Sequence, residues 1–384
     1  MQTSFTKQQL ENKENKSSES ILRKCVHCGM CNATCPTYAI NGDELEGPRG
    51  RIYLIKDMLE NNKPANKNIA KHIDSCLSCY GCMTTCPSGV NYMHLIDHGR
   101  NHVEETYKRP ILDKLFRNIL SYTLPKPKVF LALVWATKII KPFSFIMPRF
   151  IRNSLNLMPD TIPSKKMKNQ TIYPAESKKK VARVALLTGC VQRVISPEIN
   201  ESTIRLLNRH DVEVVVLPKI DCCGSLNHHL GKKELAHSSF VQNIQLWHEE
   251  YLKNGLDAII SNTSGCGTTL KDYGFIFRND KELKKKAKKI SELTKDITEY
   301  LDENLKLKIE NNNEKKYKIA YHSACSMQHG QKVHEQPKNL IEQTGHIVLD
   351  VPEGHMCCGS AGTYNILHQK MAKSLLKNKV ENIE

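Results

Sequence analysis

Apolar positions are scarce over residues 1–20, which read mostly Gln, Lys, Asn, Ser and Glu. That stretch predicts a disordered leader, and with no apolar core segment it does not read as a secretory signal. Residues Arg51 to Asn61 look helical. Over 109–154 apolar residues alternate with Lys and Arg in a way that predicts amphipathic helix, with Trp135, Phe143, Phe145 and Phe150 among the cations. The most apolar run there, Val129 to Thr137, is nine residues long and is followed by Lys138 and Lys141. About 20 apolar residues are needed to span a bilayer, so no transmembrane helix is expected. The segment suits either a membrane interface or packing on a neighbouring domain or partner subunit, and the second is the plainer expectation. Residues 155–180 become Pro- and Lys-rich without any period, which marks a linker.

Past the linker the pattern changes to short apolar strands separated by helical stretches. Strands are expected at Val181–Leu187, Val212–Leu217 and Asp257–Ile260, and again at Lys318–Tyr321 and His346–Val351. Helices are expected at Glu198–His210 and Glu335–Thr344. Strand–helix–strand order with apolar strands implies parallel pairing through right-handed crossovers.

The cysteines give this layout its chemistry. Cys25, Cys28, Cys31 and Cys35-Pro36 spell C-x2-C-x2-C-x3-C-P, and Cys76, Cys79, Cys82 and Cys86-Pro87 repeat it 51 residues later. This is the bacterial ferredoxin run, in which three cysteines hold one cubane and the fourth crosses to the other. The expected ligand sets are Cys25, Cys28, Cys31 and Cys86 for one [4Fe–4S] cluster, and Cys76, Cys79, Cys82 and Cys35 for a second. Pro36 and Pro87 fix φ and lack an N–H, so each closes its loop. Zinc is the main alternative for paired C-x2-C motifs, but a tetrahedral ion has no use for the third step present twice. Disulfides are disfavoured without a secretory signal.

The remaining seven cysteines form an internal repeat. Cys190, Cys222 and Cys223-Gly224 recur 135 residues later as Cys325, Cys357 and Cys358-Gly359, and Cys266 completes the first set. The strands deliver these cysteines at their C-terminal ends, where open α/β sheets place their sites. Adjacent side chains in extended backbone point apart. Both can touch one larger cluster only if the chain turns, a freedom Gly224 and Gly359 supply. Cys190, Cys222, Cys223 and Cys266 are therefore a candidate third cluster site, with zinc, a redox dithiol or buried structural thiols as alternatives. A counterpart of Cys266 would fall at 401, past Glu384, so the second unit is expected to be truncated, with His322 or an external group as fourth donor. His228, His229, His322 and His355 lie near these cysteines and suit either proton handling or plain polar support; the latter is expected.

The fold class is thus mixed α+β and α/β: a small helical 2[4Fe–4S] ferredoxin-type domain at 21–108, the helical region at 109–154, the linker, then two repeated Rossmann-like Cys-Cys-Gly units at 181–305 and 306–384, the second incomplete. The chain has 384 residues, with 56 Lys and Arg against 40 Asp and Glu, a formal charge of +16. The excess lies in surface runs such as Lys178-Lys179-Lys180 and Lys281 to Lys289, and cluster charge offsets part of it. No aromatic-interleaved basic motif points to nucleic acid, so none is expected as a partner. An anionic membrane surface is the better match.

Beyond the octet, the flanking residues resemble the family of bacterial glycolate oxidase (glycolate dehydrogenase) iron–sulfur subunits. The resemblance is carried by Cys25-Val-His-Cys-Gly-Met-Cys-Asn-Ala-Thr-Cys-Pro-Thr-Tyr38, by Gly42-Asp-Glu-Leu45 with Pro48-Arg-Gly-Arg-Ile-Tyr-Leu-Ile-Lys56, and by Thr85-Cys-Pro-Ser-Gly-Val90. It continues through Ser264-Gly-Cys-Gly267 and Cys357-Cys-Gly-Ser-Ala-Gly-Thr-Tyr364, and so covers nearly the whole chain. The Cys-Cys-Gly domain is shared with the corresponding lactate and glycerol-3-phosphate subunits and with heterodisulfide reductase. The resemblance implies that an FAD-containing partner oxidises glycolate to glyoxylate while this chain relays electrons to a quinone-type acceptor at the cytoplasmic face of the inner membrane. In keeping with that, no Gly-rich dinucleotide fingerprint occurs. The same relay serving lactate or glycerol 3-phosphate is the alternative, as is a catalytic Cys-Cys-Gly cluster. Cys266-Gly-Thr-Thr269, which lacks a closing cysteine, argues against the latter.

Overall fold

The computed structural model describes residues 1–159, 171–177, 179–307 and 315–384. The chain divides into two lobes that do not follow chain order: Met1–Asp113, Asn227–Lys233 and Lys308–Glu384 form one, Lys114–Leu226 and Glu234–Leu307 the other. Of the linker expected at 155–180, residues 160–170 and 178 lie outside the described residues, as does the side chain of Phe150.

The first twenty residues are not disordered. They form a helix at Lys7–Glu11 and most of a second at Lys13–Lys24. Thr6 and Gln9 make a reciprocal capping box, and the Asn12 side chain accepts from the N–H groups of Glu14 and Asn15. Composition alone hid the apolar face of the second helix, where Ser18, Ile21 and Leu22 are buried. The Gln9 amide also donates to the carbonyls of Leu59 and Glu60. Helices Pro48–Glu60, Lys67–Asp74 and Tyr92–Thr106 complete this core with Ile55, Met58, Ile73, Leu95, Ile96 and Val103. Each such side chain contributes about 1.5–3 kcal/mol by leaving water.

Seven strands occur among the described residues: β1 (Ile172–Tyr173), β2 (Ala182–Leu187), β3 (Val212–Val215), β4 (Ala258–Ser261), β5 (Thr294–Asp296), β6 (Lys318–Tyr321) and β7 (Ile347–Asp350). In the second lobe the sheet order is β1-β3-β2-β4-β5, with β3, β2, β4 and β5 mutually parallel and β1 antiparallel at the edge. Strands β2, β3 and β4 are largely apolar and buried, as strands covered by helices on both faces are, and Phe240, Ile244, Trp247, Leu270 and Tyr273 fill one side.

β6 and β7 form a separate parallel pair. Among the described residues the second Cys-Cys-Gly stretch therefore has two strands against four in the first, whose sheet β1 extends from the linker. It also belongs to the lobe of the N-terminal cysteine loops rather than standing as a domain of its own. Two strands bury too little to stand alone. Here Tyr364, Ala372 and Leu375 pack on Leu77 and Ile40.

The region at 109–154 is helical, as Ile111–Thr123, Pro127–Ile140, a 3₁₀ segment Lys141–Ile146, and Arg149–Leu155. The apolar stretch is longer than the nine residues read from the sequence: Pro127–Ile146 spans 20 residues and is apolar enough to cross a membrane by length and composition alone. The count of nine stopped at Lys138, whereas the helical run continues through Phe143, Phe145 and Ile146. Those three and Trp135 and Ile139 are exposed.

Candidate metal centres

Two cavities lie in the first lobe. One is lined by Cys25, Cys28, Cys31, Cys82 and Cys86, the other by Cys35, Cys76, Cys79 and Cys82. Each cavity thus receives the last cysteine of the opposite loop, and Cys82 and Tyr92 face both. The two loops share a backbone device. His27 (φ 62°) and Gly29 (φ 84°) in one correspond to Ser78 (φ 51°) and Tyr80 (φ 62°) in the other. Alternating left-handed residues turn successive N–H groups toward one centre, a concavity that suits an anionic group such as an iron–sulfur cluster.

Burial and crowding raise the thiols of Cys31, Cys79 and Cys82. Burial, together with Cys25, Cys86 and Cys28 nearby, pushes the Cys31 thiol up to about 11. Burial and the neighbouring cysteines also push Cys79 and Cys82 well above the ordinary thiol value. Ligation requires thiolates, and metal binding supplies the positive charge that permits them. The donors line two cavities, one with Cys25, Cys28, Cys31, Cys82 and Cys86 and the other with Cys35, Cys76, Cys79 and Cys82, and so are gathered as a polynuclear group would need them.

A buried polar network backs the second cavity. Arg51, 1% exposed, donates to the His72 carbonyl (2.7 Å), Thr37 Oγ1 (3.0 Å), Ser75 Oγ (2.9 Å) and Glu46 Oε2 (3.0 Å), and its Nη1 lies 3.8 Å from Cys35 Sγ. The Tyr92 hydroxyl donates to Cys76 Sγ at 3.8 Å. Tyr92 did not stand out in the sequence, and Arg51 did so only within the segment Pro48 to Lys56, with no role attached. The available signal was an arginine inside the buried face made by Ile52, Ile55 and Met58.

In the second lobe, β2, β3 and β4 bring Cys190, Cys222, Cys223 and Cys266 together beyond their C-terminal ends. Cys223 and Cys266 sulfurs are 3.1 Å apart, and the Gly224 N–H donates to Cys222 Sγ at 3.3 Å. Bonds from the Cys190 and Cys223 thiols hold Cys222 well below its ordinary value, while Cys190 and Cys223 are raised, so Cys222 ionises first. Asn243 donates to the Cys222 carbonyl (2.8 Å) and Tyr273 to the Cys223 carbonyl (2.7 Å), fixing the adjacent pair. Gly224 has φ +83°, and a Cβ there would stand 2.4 Å from the Phe240 ring.

The second Cys-Cys-Gly set repeats this turn: Gly359 has φ +84° and lies against the Ala372 backbone. Cys325, Cys357 and Cys358 lie together, and His322 hydrogen-bonds Cys358. The bond to Cys325 and burial push Cys357 up to about 12. In this lobe Cys357 also packs in one apolar cluster with Leu77 and Cys79. His228 and His229 face Asp97, at 3.1 Å and 3.5 Å. His355 contributes its carbonyl, which accepts from His329 Nε2 (3.3 Å), while His329 Nδ1 meets the Thr84 hydroxyl (2.9 Å). His329 was not singled out from the sequence.

Such an arrangement defines an iron–sulfur protein with a dicluster module and two cysteine-rich modules. Residues 21–90 match the 4Fe-4S dicluster domain family, and residues 184–271 and 319–384 match the cysteine-rich domain family. The whole chain aligns with the glycolate oxidase iron-sulfur subunit of Escherichia coli, at 40% identity over 90% of that protein. It also aligns with the probable glycolate oxidase iron-sulfur subunit of Bacillus subtilis, at 27% identity over 89% of that protein. Lactate utilization protein A of Geobacillus sp. is 24% identical over 53% of this chain and 82% of its own length. The chain belongs to the family of glycolate oxidase iron–sulfur subunits.

Proposed function

We propose that this chain is the electron-transfer subunit of a glycolate-oxidising complex, receiving electrons from an FAD-containing partner that converts glycolate to glyoxylate and delivering them to a quinone-type acceptor. The observation that carries the relay is the pair of adjacent cysteine-lined cavities that share Cys82 and Tyr92. The full-length similarity to glycolate oxidase iron-sulfur subunits supports the substrate. Cys25, Cys28, Cys31 and Cys86 would hold one cluster and Cys76, Cys79, Cys82 and Cys35 the other. Cys190, Cys222, Cys223 and Cys266 are proposed as a third cluster site, and Cys325, Cys357 and Cys358 with His322 as a fourth, on two copies of one Rossmann-like plan. Bound there, [4Fe–4S] clusters supply one-electron storage, which a two-electron flavin needs in order to discharge in steps.

The protein's own part is to hold the thiolates and keep water away. Cys25, Cys35, Cys76 and Cys82 are buried, and Ile52, Val90 and Tyr92 wall the space around them. The test is to add glycolate to the anaerobically purified chain, alone and then with its flavoprotein partner. Spectral bleaching only in the second case is expected; bleaching by glycolate alone overturns the subunit assignment.

Peripheral attachment to the cytoplasmic face of an anionic membrane is part of the same reading. It is supported by exposed Trp135, Phe143, Phe145 and Ile146 beside Lys138 and Lys141. Aromatic residues at headgroup depth with nearby cations suit that surface. Co-sedimentation with phosphatidylglycerol vesicles should be lost in F143S/F145S/I146S; unchanged binding refutes this placement.

A further inference from the structure

The two N-terminal sites have the same motif yet differ in what approaches their sulfurs. At the second cavity, Arg51 Nη1 reaches Cys35 Sγ and the Tyr92 hydroxyl reaches Cys76 Sγ, both at 3.8 Å. Arg51 has no freedom to leave: its other nitrogens are tied to His72, Thr37, Ser75 and Glu46, and Glu46 also meets His72 Nδ1 at 2.9 Å. The cation beside the first cavity is Arg49. Its side chain is 31% exposed and its bonds go elsewhere, to Glu44 at 2.6 and 2.9 Å and to the His27 carbonyl at 3.5 Å. Among the described residues no side chain donates to a sulfur of Cys25, Cys28, Cys31 or Cys86.

Hydrogen bonds to ligand sulfur and nearby positive charge stabilise the reduced, more negative form of a cluster and raise its potential. We infer that Arg51 and Tyr92 make the site of Cys35, Cys76, Cys79 and Cys82 the higher-potential member of the pair, so that an electron entering the module settles there. The placement is directional. In the same lobe Cys79 packs in one cluster with Cys357, so the favoured site is the one that adjoins the second Cys-Cys-Gly set. Arg51 and Tyr92 act through the cysteines and are positioning residues. The Glu46 carboxylate, 3.0 Å from Arg51, keeps the buried cation paired, while the guanidinium is the group that approaches sulfur.

The inference rests on the cluster reading above, and the experiment separates the two. The full-length chain is purified without oxygen, its iron and acid-labile sulfide are measured, and its low-temperature EPR is followed through a reductive titration. The variants are Y92F, which removes one donor without changing charge, and R51M/E46Q, which removes the guanidinium without leaving a lone buried carboxylate. The wild type should show two distinguishable midpoints for the ferredoxin-type pair. The higher midpoint should fall in both variants at unchanged iron content, while the lower one stays in place. A single merged midpoint in the wild type, an unshifted higher midpoint in loaded Y92F, or a shift confined to the lower one overturns the inference. If R51M/E46Q fails to load, Y92F alone decides. A wild-type chain without iron and sulfide overturns the cluster reading instead.

Discussion

Replacing Gly224 by alanine tests how the first Cys-Cys-Gly turn is held. Two effects add. At φ +83° an L side chain sits in the left-handed region, which costs about 1–2 kcal/mol. The new Cβ would also stand 2.4 Å from Phe240 Cε1 and 3.3 Å from the Ala236 carbonyl, and overpacking of this kind costs about 1–3 kcal/mol. Phe240 cannot swing away freely, being 2% exposed with its ring centroid 4.9 Å from that of Tyr273. Gly255 supplies the control: it has φ +75° with nothing within 4 Å of its Cβ, so G255A incurs the backbone cost alone. At about 2–4 °C per kcal/mol for a lobe of this size, G224A should lower its melting temperature by roughly 10 °C and G255A by roughly 4 °C. The chain's two tryptophans, Trp135 and Trp247, both lie in the second lobe, so tryptophan fluorescence reports that lobe selectively. Displacing Phe240 also disturbs Tyr273, whose hydroxyl holds the Cys223 carbonyl at 2.7 Å, so G224A should lose iron at the third site while G255A keeps it. Equal melting shifts in the two variants would refute the packing argument.

Other perturbations reach the first lobe. C86S should lose the cluster whose other ligands are Cys25, Cys28 and Cys31, taking iron from about eight to about four in the ferredoxin-type pair; loss from the Cys76 loop instead reverses the ligand pairing. R109A removes a cation that is 5% exposed and bonded to Asp74 (2.6 Å) and Glu104 (3.0 Å). Because Glu104 keeps its pairing with Lys232, losing the Arg109 bonds should cost less than the ~3–5 kcal/mol of an unpaired buried charge, read as a lowered urea midpoint in circular dichroism. Burial lowers the pKa of His229 and His329 from 6.5, so each is held neutral in the folded lobe. Their contribution is complete above pH 6.5 and falls as acidification carries the unfolded chain, then the folded one, through its protonation step. Stability should therefore decline from pH 7 to pH 5, and less steeply in H329Q; an equal slope removes His329 from the explanation.

Much of the site was legible because thiolate ligation constrains spacing so tightly. The two C-x2-C-x2-C-x3-C-P runs named every cysteine lining the two cavities, and the 135-residue displacement picked out paired turns whose glycines adopt φ +83° and +84°. Strands β2, β4 and β6 fell within a residue of expectation because each is a short apolar run. What escaped was context. Residues 1–20 looked disordered by composition, yet two caps and a buried face of Ser18, Ile21 and Leu22 suffice for helices once a core is present. Arg51 and Tyr92 read as ordinary helix residues, since nothing local says that a side chain faces a sulfur contributed from elsewhere in the chain. The grouping of Lys308–Glu384 with the N-terminal loops was likewise invisible, because sequence neighbours are the default partners and only the shortage of strands argues otherwise.

The left-handed residues of the cysteine loops carry a consequence for the life of the polypeptide in the cell. His27, Ser78 and Tyr80 are not glycine, so holding their φ angles positive costs roughly 1–2 kcal/mol apiece. A bound cluster would offset that cost, because the loop amides would then face an anionic partner. Chains synthesised under iron starvation should therefore spring open at these segments and reach the proteases first, which would make the amount of this subunit track the supply of the metal.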